Sequence, residues 1–184
     1  MLVQRIVCFA TLAAAVLVFV YSLGLVTDLH YNHFEYYAED PRYPVFEGAN
    51  IYNEIQPFNQ ALTTAGIILI ISSVLVFVFG AHSRRKYYIG NYITIGLNTV
   101  LNLGVSVWGI VNVIKYRAMY DQIDFEALEM WQSLLKKPYD ISPFWFDAGY
   151  YVFGIVIFVA VLTVLNLVFK IMVMKSEQQL LAEV

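Results

Sequence analysis

The chain has 184 residues, of which 60% are hydrophobic and only 14% charged, and its mean hydropathy is +0.64. Soluble globular domains usually carry about 25% charged residues, so the composition predicts a membrane protein. The net charge of -3 provides no basic surface for phosphates, which excludes nucleic acid from the expected partners.

Four apolar runs are long enough to cross a bilayer core, which needs roughly 20 apolar residues in a helix. We expect one all-α domain with four transmembrane helices. The predicted helices cover approximately residues 6–26, 61–81, 89–114 and 148–169. None of these windows contains Asp, Glu, Lys or Arg, which argues against an ion-coupled or proton-relay transporter.

The first run follows Arg5 and could be a cleaved signal peptide, but it exceeds the usual h-region length and no small-residue cleavage site follows it. We therefore expect a retained helix. Cys8, within this run, is the only cysteine, so no intrachain disulfide can stabilise the segments between the helices.

The first outer segment, approximately residues 27–60, carries four helix-breaking residues, Pro41, Pro44, Gly48 and Pro57. Because proline and glycine disfavour helix interiors, we expect an irregular loop here. The segment also contains many tyrosine and phenylalanine rings, which form either a small loop core or a surface for a partner. The docking candidates in the whole chain are Tyr36, Tyr37, Tyr43, Phe46, Trp131 and Trp145.

A histidine pair in the first segment raises the possibility of a metal site. His30 and His33 share one face of a helical turn, and Asp28 or Glu35 could complete a two-histidine, one-carboxylate set for zinc or iron. Only one further histidine, His82, exists, and it belongs to the opposite membrane face. We therefore favour a hydrated, hydrogen-bonding rim over a metal site, and we expect no cofactor.

The short connection between the second and third runs contains Arg84, Arg85 and Lys86. Basic residues near helix ends mark the cytoplasmic side, so both termini and this connection are predicted to lie in the cytoplasm. Basic residues also occur in the two outer segments and oppose this orientation. They are Arg42, Lys115, Arg117, Lys136 and Lys137.

Polar and small residues in the third run share an arc of about 120° when placed at 100° per residue. This polar stripe comprises Asn91, Thr94, Asn98, Asn102, Ser106, Gly109 and Asn112. Unsatisfied amides are costly in lipid, so the stripe must face protein or water. It is either a path for a solute, which would require an oligomer, or hydrogen-bonding contact between helices, and we favour the contact.

The second run contains small or polar residues every seven positions, namely Asn59, Gly66, Ser73 and Gly80. This spacing favours close approach of helix backbones. Because the connection to the third run is short, the two helices are predicted to pair, with the heptad residues facing the polar stripe.

The second outer segment, approximately residues 115–147, contains the pattern of an amphipathic helix over residues 121–136. Lys136 and Lys137 precede Pro138, as expected at a helix end. Ser142 and Pro143 then provide an N-cap and a first-turn proline for the fourth helix.

The fourth run is bulky and β-branched with few small residues. It is predicted to pack poorly within its own bundle and to face lipid or a helix of a partner. The chain contains no sequence motif of a hydrolase, metalloprotease or nucleotide-binding enzyme, so we expect a protein without catalytic activity.

Three functional hypotheses follow. The favoured one is an accessory or scaffolding subunit of a larger membrane complex, preferably a transporter, in a bacterial plasma membrane, with lipid and other membrane subunits as its partners. The second is a small oligomeric channel or carrier lined by the polar stripe. The third is an outer-face metal-dependent enzyme using His30, His33 and Glu35.

Overall fold

A computed structural model shows four helices, and each of them is long and apolar enough to span a membrane. The structure describes residues 2–26, 51–81, 88–124, 126 and 142–182. The helices are α1 (Leu2–Val26), α2 (Ile51–Ala81), α3 (Tyr88–Tyr120) and α4 (Phe144–Ala182). The prediction of an all-helical protein is confirmed for this part of the chain, and so is the prediction of four helices long and apolar enough to span a membrane.

The helices form a ring in which α1 packs against α2 and α4, and α3 also packs against α2 and α4. Neighbouring helices are antiparallel. Tyr21 near the end of α1 contacts Trp145 at the start of α4, and Tyr116 near the end of α3 bonds to Glu54 at the start of α2. We call this end of the bundle the long-loop end and the opposite one the terminal end.

The core of the bundle is filled by apolar side chains that have almost no exposure. Leu62 and Leu69 of α2 and Phe153 and Val156 of α4 have 0% of their surface exposed. Interiors of this kind are packed as densely as organic crystals, so each helix has a fixed rotation relative to its neighbours. No open space along the axis is required to explain the arrangement.

The fourth helix packs closely within the bundle, contrary to the expectation from its bulky composition. Its buried positions recur at helical spacing, and among the described residues they are Phe146, Gly149, Val152, Phe153, Val156, Val159, Ala160 and Thr163. The prediction failed because it considered only small residues on α4. Close packing here depends on a large residue of α4 meeting a glycine of α3.

The start of α2 differs from the prediction, because the helix begins at Ile51 and continues through Pro57. A proline inside a helix removes one hydrogen bond and costs about 3 kcal/mol. Pro57 is exposed, whereas Ile51, Ile55 and Phe58 are buried on another face. Burial of these three side chains offsets the cost, so the helix extends ten residues before the predicted start at 61.

The two helices on either side of the second outer segment, α3 and α4, are also longer than predicted. The third helix continues to Tyr120 because Tyr116 and Tyr120 are buried, and the fourth extends from Phe144 to Ala182. The predicted N-cap is confirmed, since the backbone N–H of Phe144 donates to the Ser142 hydroxyl at 3.2 Å. The predicted amphipathic helix at 121–136 lies largely outside the described residues, as do the segment 27–50 and the basic connection 84–86.

Candidate functional site

Asn98 of the polar stripe lies at mid-bundle and bonds directly to α2. Its side chain is 1% exposed. The amide Nδ2 donates to the hydroxyl of Ser72 at 2.8 Å and to the hydroxyl of Ser73 at 3.1 Å. The Ser72 hydroxyl in turn donates to the carbonyl of Leu69 at 3.0 Å. Both N–H groups of the amide are therefore used between α3 and α2.

The same cluster reaches a third helix through Ser73. Its hydroxyl donates to the backbone carbonyl of Thr11 in α1 at 3.4 Å. On the other side, Asn102 Nδ2 donates to the Asn98 carbonyl at 2.8 Å and to Asn98 Oδ1 at 3.1 Å. We call Ser72, Ser73, Asn98, Asn102 and the Thr11 carbonyl the amide network, and it joins α1, α2 and α3.

Other members of the polar stripe have different environments. Ser106 is fully buried, and its hydroxyl has no hydrogen-bond partner within the described part of the chain. Asn112 is only half-buried, and its amide donates to the Trp108 carbonyl of the same helix at 2.8 Å. Thr94 is half-buried and takes part in an interaction. The surroundings of Asn91 and of Gly80 lie outside the described part of the chain.

Gly66 of the heptad pattern packs against α1, whereas the sequence analysis predicted that it faces α3. A Cβ atom at Gly66 would lie 3.0 Å from the Cα of Phe19, and real Cβ contacts essentially never come closer. Ser73 faces both neighbours, since it bonds to Thr11 of α1 and to Asn98 of α3. The small residues of α2 therefore serve mainly its seam with α1.

Asn59, one heptad before Gly66, was predicted to face the polar stripe with the rest of the heptad pattern. Its side chain is 0% exposed, and neither Oδ1 nor Nδ2 has a hydrogen-bond partner among the residues that the structure describes. Buried amides are nearly always paired, so Asn59, Ser106 and the indole N–H of Trp145 are the points among the described residues where this interior has unused polar capacity. The sequence signal for the burial of Asn59 is its spacing of seven residues from Gly66, which continues to Ser73.

Between the amide network and the long-loop end, α3 and α4 pack closely because glycines lie opposite large side chains. A Cβ at Gly109 would overlap the ring of Phe153, and a Cβ at Gly149 would overlap the hydroxyl of Tyr21. Gly109 lies on the arc of the polar stripe, but its role is to admit a large ring from α4. The stripe therefore contacts two neighbours, with Asn98 facing α2 and Gly109 facing Phe153.

An aromatic layer follows at the long-loop end. Tyr21 of α1 stacks on Trp145 of α4 with ring centroids 4.7 Å apart, and it meets Phe153 edge-on at 5.8 Å. The Tyr21 hydroxyl donates to the Trp145 carbonyl at 3.2 Å. Aromatic pairs in such geometries contribute about 0.5–1.5 kcal/mol beyond their buried area. Trp145, a predicted docking residue, is thus half-buried in the seam between α1 and α4.

A second set of rings joins α2 to α3 in the same layer. Phe58 contacts Trp108 at 5.0 Å and Tyr116 at 5.6 Å. The Tyr116 hydroxyl donates to the carbonyl of Glu54 at 3.0 Å. The aromatic layer comprises Tyr21, Phe58, Trp108, Tyr116, Tyr120, Trp145, Phe146 and Phe153.

Arg117 connects the end of α3 to the start of α4 above this layer. Its Nε donates to Asp121 at 3.1 Å, and its Nη1 donates to Asp147 at 3.2 Å. The guanidinium also lies 5.9 Å from the centre of the Phe146 ring. One basic side chain thereby links the end of α3 to the start of α4.

The remaining site predictions lie outside the described residues. They are Tyr36, Tyr37, Tyr43, Phe46 and Trp131 of the docking set, and His30, His33 and Glu35 of the metal set. Within the described ranges, no group of three or more His, Cys, Asp or Glu side chains could hold a metal ion.

The buried polar groups of this bundle are better suited to joining helices than to catalysing a reaction. Its polar groups are amides and hydroxyls, which neither carry charge nor titrate in the ordinary range. They supply directional hydrogen bonds that select which helices meet and at which rotation. No protein-family model matches the chain, and neither a curated protein nor a solved structure shows significant similarity to it.

Proposed function

We propose that this protein is a non-catalytic accessory or scaffolding subunit of a larger membrane complex, such as a transporter, in a bacterial plasma membrane. The observation that carries the proposal is the amide network. Asn98 directs both N–H groups to Ser72 and Ser73, so these polar residues hold α3 against α2. In this proposal the fold acts as a rigid helical unit that presents surfaces to other subunits.

The alternative of a channel lined by the polar stripe has less support. A lining residue must face a lumen, whereas Asn98, Asn102 and Ser106 are buried against neighbouring helices. An oligomeric channel would instead be lined by the exposed face of α3. That face is apolar, and its large exposed side chains are Ile93, Leu97, Val100, Leu103, Val107, Trp108, Val111 and Ile114. We therefore retain the accessory subunit as the single proposal.

The docking surface we propose lies at the start of α4. Phe144 and Tyr151 stand seven residues apart on this helix, and 74% and 75% of their surfaces are exposed. Aromatic side chains are enriched at protein interfaces, and these two rings support a contact with another subunit at this end of α4. The orientation with both termini in the cytoplasm is part of the same proposal and depends on Arg84, Arg85 and Lys86.

Purification from the native membrane in a mild detergent tests the proposal. We expect other membrane proteins to co-purify at a constant ratio through affinity and size-exclusion steps. Tyr151→Ala should lower that ratio, while Phe77→Ala, which removes an exposed ring of α2, should leave it unchanged. Recovery of this chain with no other protein, as one copy or as several, would contradict the accessory role.

A further inference from the structure

The last part of α4 extends beyond the bundle. From Ile171 onward every described side chain of this helix is exposed, although the helix continues to Ala182. The neighbouring helices begin at Leu2 and Tyr88, so they offer few residues at this depth. The described side chains of this extension are therefore open to a partner helix.

One stripe of α4 has the spacing of a coiled-coil seam. Steps of four and three residues alternate through Leu162, Asn166, Phe169, Val173, Ser176 and Leu180. The described side chains of the stripe are half-buried or exposed. This 3–4 repeat is the pattern by which two helices pack knobs into holes along a left-handed seam. We call these six residues the α4 seam.

Asn166 provides the second observation. Its side chain is half-buried, and its amide takes part in no hydrogen bond among the described residues. It lies within the segment Phe144–Val173, which is apolar enough to cross a membrane. An amide in this position gains from a partner that offers both a donor and an acceptor, because lipid offers neither.

We propose that the α4 seam pairs with the α4 seam of a second copy of this chain, in parallel, with the two Asn166 amides hydrogen-bonded to each other. Copies inserted in one orientation place identical helices in parallel, and a two-fold axis then sets each seam residue opposite itself. An amide is complementary to itself, since Oδ1 accepts while Nδ2 donates. A buried Asn in a seam also specifies register, which suits a homodimer.

This pairing goes beyond the proposed accessory role and does not depend on it. It uses Phe169 and Val173 at the terminal end of α4, whereas the proposed docking surface uses Phe144 and Tyr151 at the long-loop end. A homodimer could present two such surfaces to other subunits. The experiments below contain only this protein in liposomes, so their failure would leave the co-purification result unaffected.

Disulfide cross-linking tests the register. In a Cys8→Ser background, Ser176→Cys places a thiol on the seam, and the matched control Lys175→Cys places one on an adjacent exposed position off the seam. Disulfides require Cα atoms within about 7 Å of each other, which the proposed register provides only at seam positions. We expect mild oxidation to give a covalent dimer with Ser176→Cys and monomer with Lys175→Cys. Equal cross-linking of both variants, or of neither, would overturn the proposal.

Energy transfer between donor-labelled and acceptor-labelled copies tests the role of the amide. We expect Asn166→Leu to weaken dimerisation about tenfold, the effect of two modest hydrogen bonds in lipid. Asn112→Leu is the control, because that amide bonds only to the Trp108 carbonyl of its own helix. Equal transfer in the wild type and in Asn166→Leu would show that the amide does not pair. Since Asn166 has no bond within the described bundle, unchanged thermal unfolding verifies the fold of the variant.

Discussion

The two halves of the bundle are held together in different ways. Toward the long-loop end, helices meet through the aromatic layer, where Tyr21 stacks on Trp145 and Phe153 occupies the space left by Gly109. At mid-bundle they meet through the amide network, where Asn98 bonds to two serines. The first arrangement depends on the match between large and small side chains, and the second on the direction of hydrogen bonds.

This difference indicates how the free energy of unfolding is divided between the aromatic layer and the amide network. Lipid is as apolar as leucine, so helices gain little from burying hydrophobic surface against each other, and packing or hydrogen bonds must select the neighbours. Interhelical hydrogen bonds in membranes average about 0.6 kcal/mol, whereas loss of a large core ring costs several times as much. We therefore expect the aromatic layer to supply most of the stability and the amide network mainly to fix helix rotation.

The largest effect should come from Phe153→Ala. The ring is fully buried between Tyr21 and Gly109, so its removal leaves a cavity and should lower the free energy of unfolding by about 3 kcal/mol. Phe158→Ala is the control, because 62% of this ring on the same helix is exposed. Unfolding in mixed detergent micelles measures both variants. A similar loss for the two would break the assignment of stability to the aromatic layer.

Gly109→Ala should cost about 2 kcal/mol, because its Cβ would overlap the Phe153 ring, which is fully buried. Gly104→Ala is the matched control on α3, since a Cβ there meets nothing within 4 Å. That variant should be neutral or stabilising because alanine favours helix over glycine. Combining Gly109→Ala with Phe153→Leu should recover part of the loss, and additive losses would contradict the size match.

Asn98→Leu tests how much the amide network contributes to stability. It removes two interhelical bonds, so we expect a loss of about 1 kcal/mol. Asn112→Leu, which breaks a bond only within α3, should cost less. The same unfolding measurement applies. A loss for Asn98→Leu as large as that for Phe153→Ala would mean that the amide network, rather than the rings, dominates stability.

The smallest effect should follow Arg117→Gln. The ion pairs of Arg117 with Asp121 and Asp147 are partly exposed, and such pairs contribute about 0.2–1 kcal/mol. We expect a loss of about 0.5 kcal/mol at low salt that largely disappears at about 1 M salt, since screening weakens exposed pairs. A loss independent of salt would indicate that the contact of the Arg117 guanidinium with the Phe146 ring matters more than the two ion pairs.

Hydropathy predicted the four helices because a bilayer requires each crossing to be long and apolar, and this requirement is local in sequence. The extension of α2 through Pro57 could not be predicted in this way. It depends on Ile51, Ile55 and Phe58 finding a buried face, which is decided by residues far along the chain. Local propensity gave the opposite expectation at this position.

In the candidate site, too, local spacing predicts which residues share a face but not which neighbouring helix each residue meets. The helical arc of Asn98, Asn102 and Ser106 follows from spacing alone, and all three side chains are buried. The neighbour that each residue meets does not follow from spacing. Gly66 faces Phe19 of α1, and Gly109 faces Phe153 of α4, because helix rotation is set by the fit of side chains on different helices.

The ring order of the helices has a consequence for biogenesis. Three of the four seams join helices that are consecutive in the chain, whereas the fourth joins α1 to α4, with Tyr21 and Trp145 separated by 124 positions. Contacts between distant positions form slowly because a long loop must close first. We expect α1, α2 and α3 to assemble as they leave the insertion machinery, with one side of α1 open until α4 arrives. The stacking of Tyr21 on Trp145 then forms last and closes the ring of four helices.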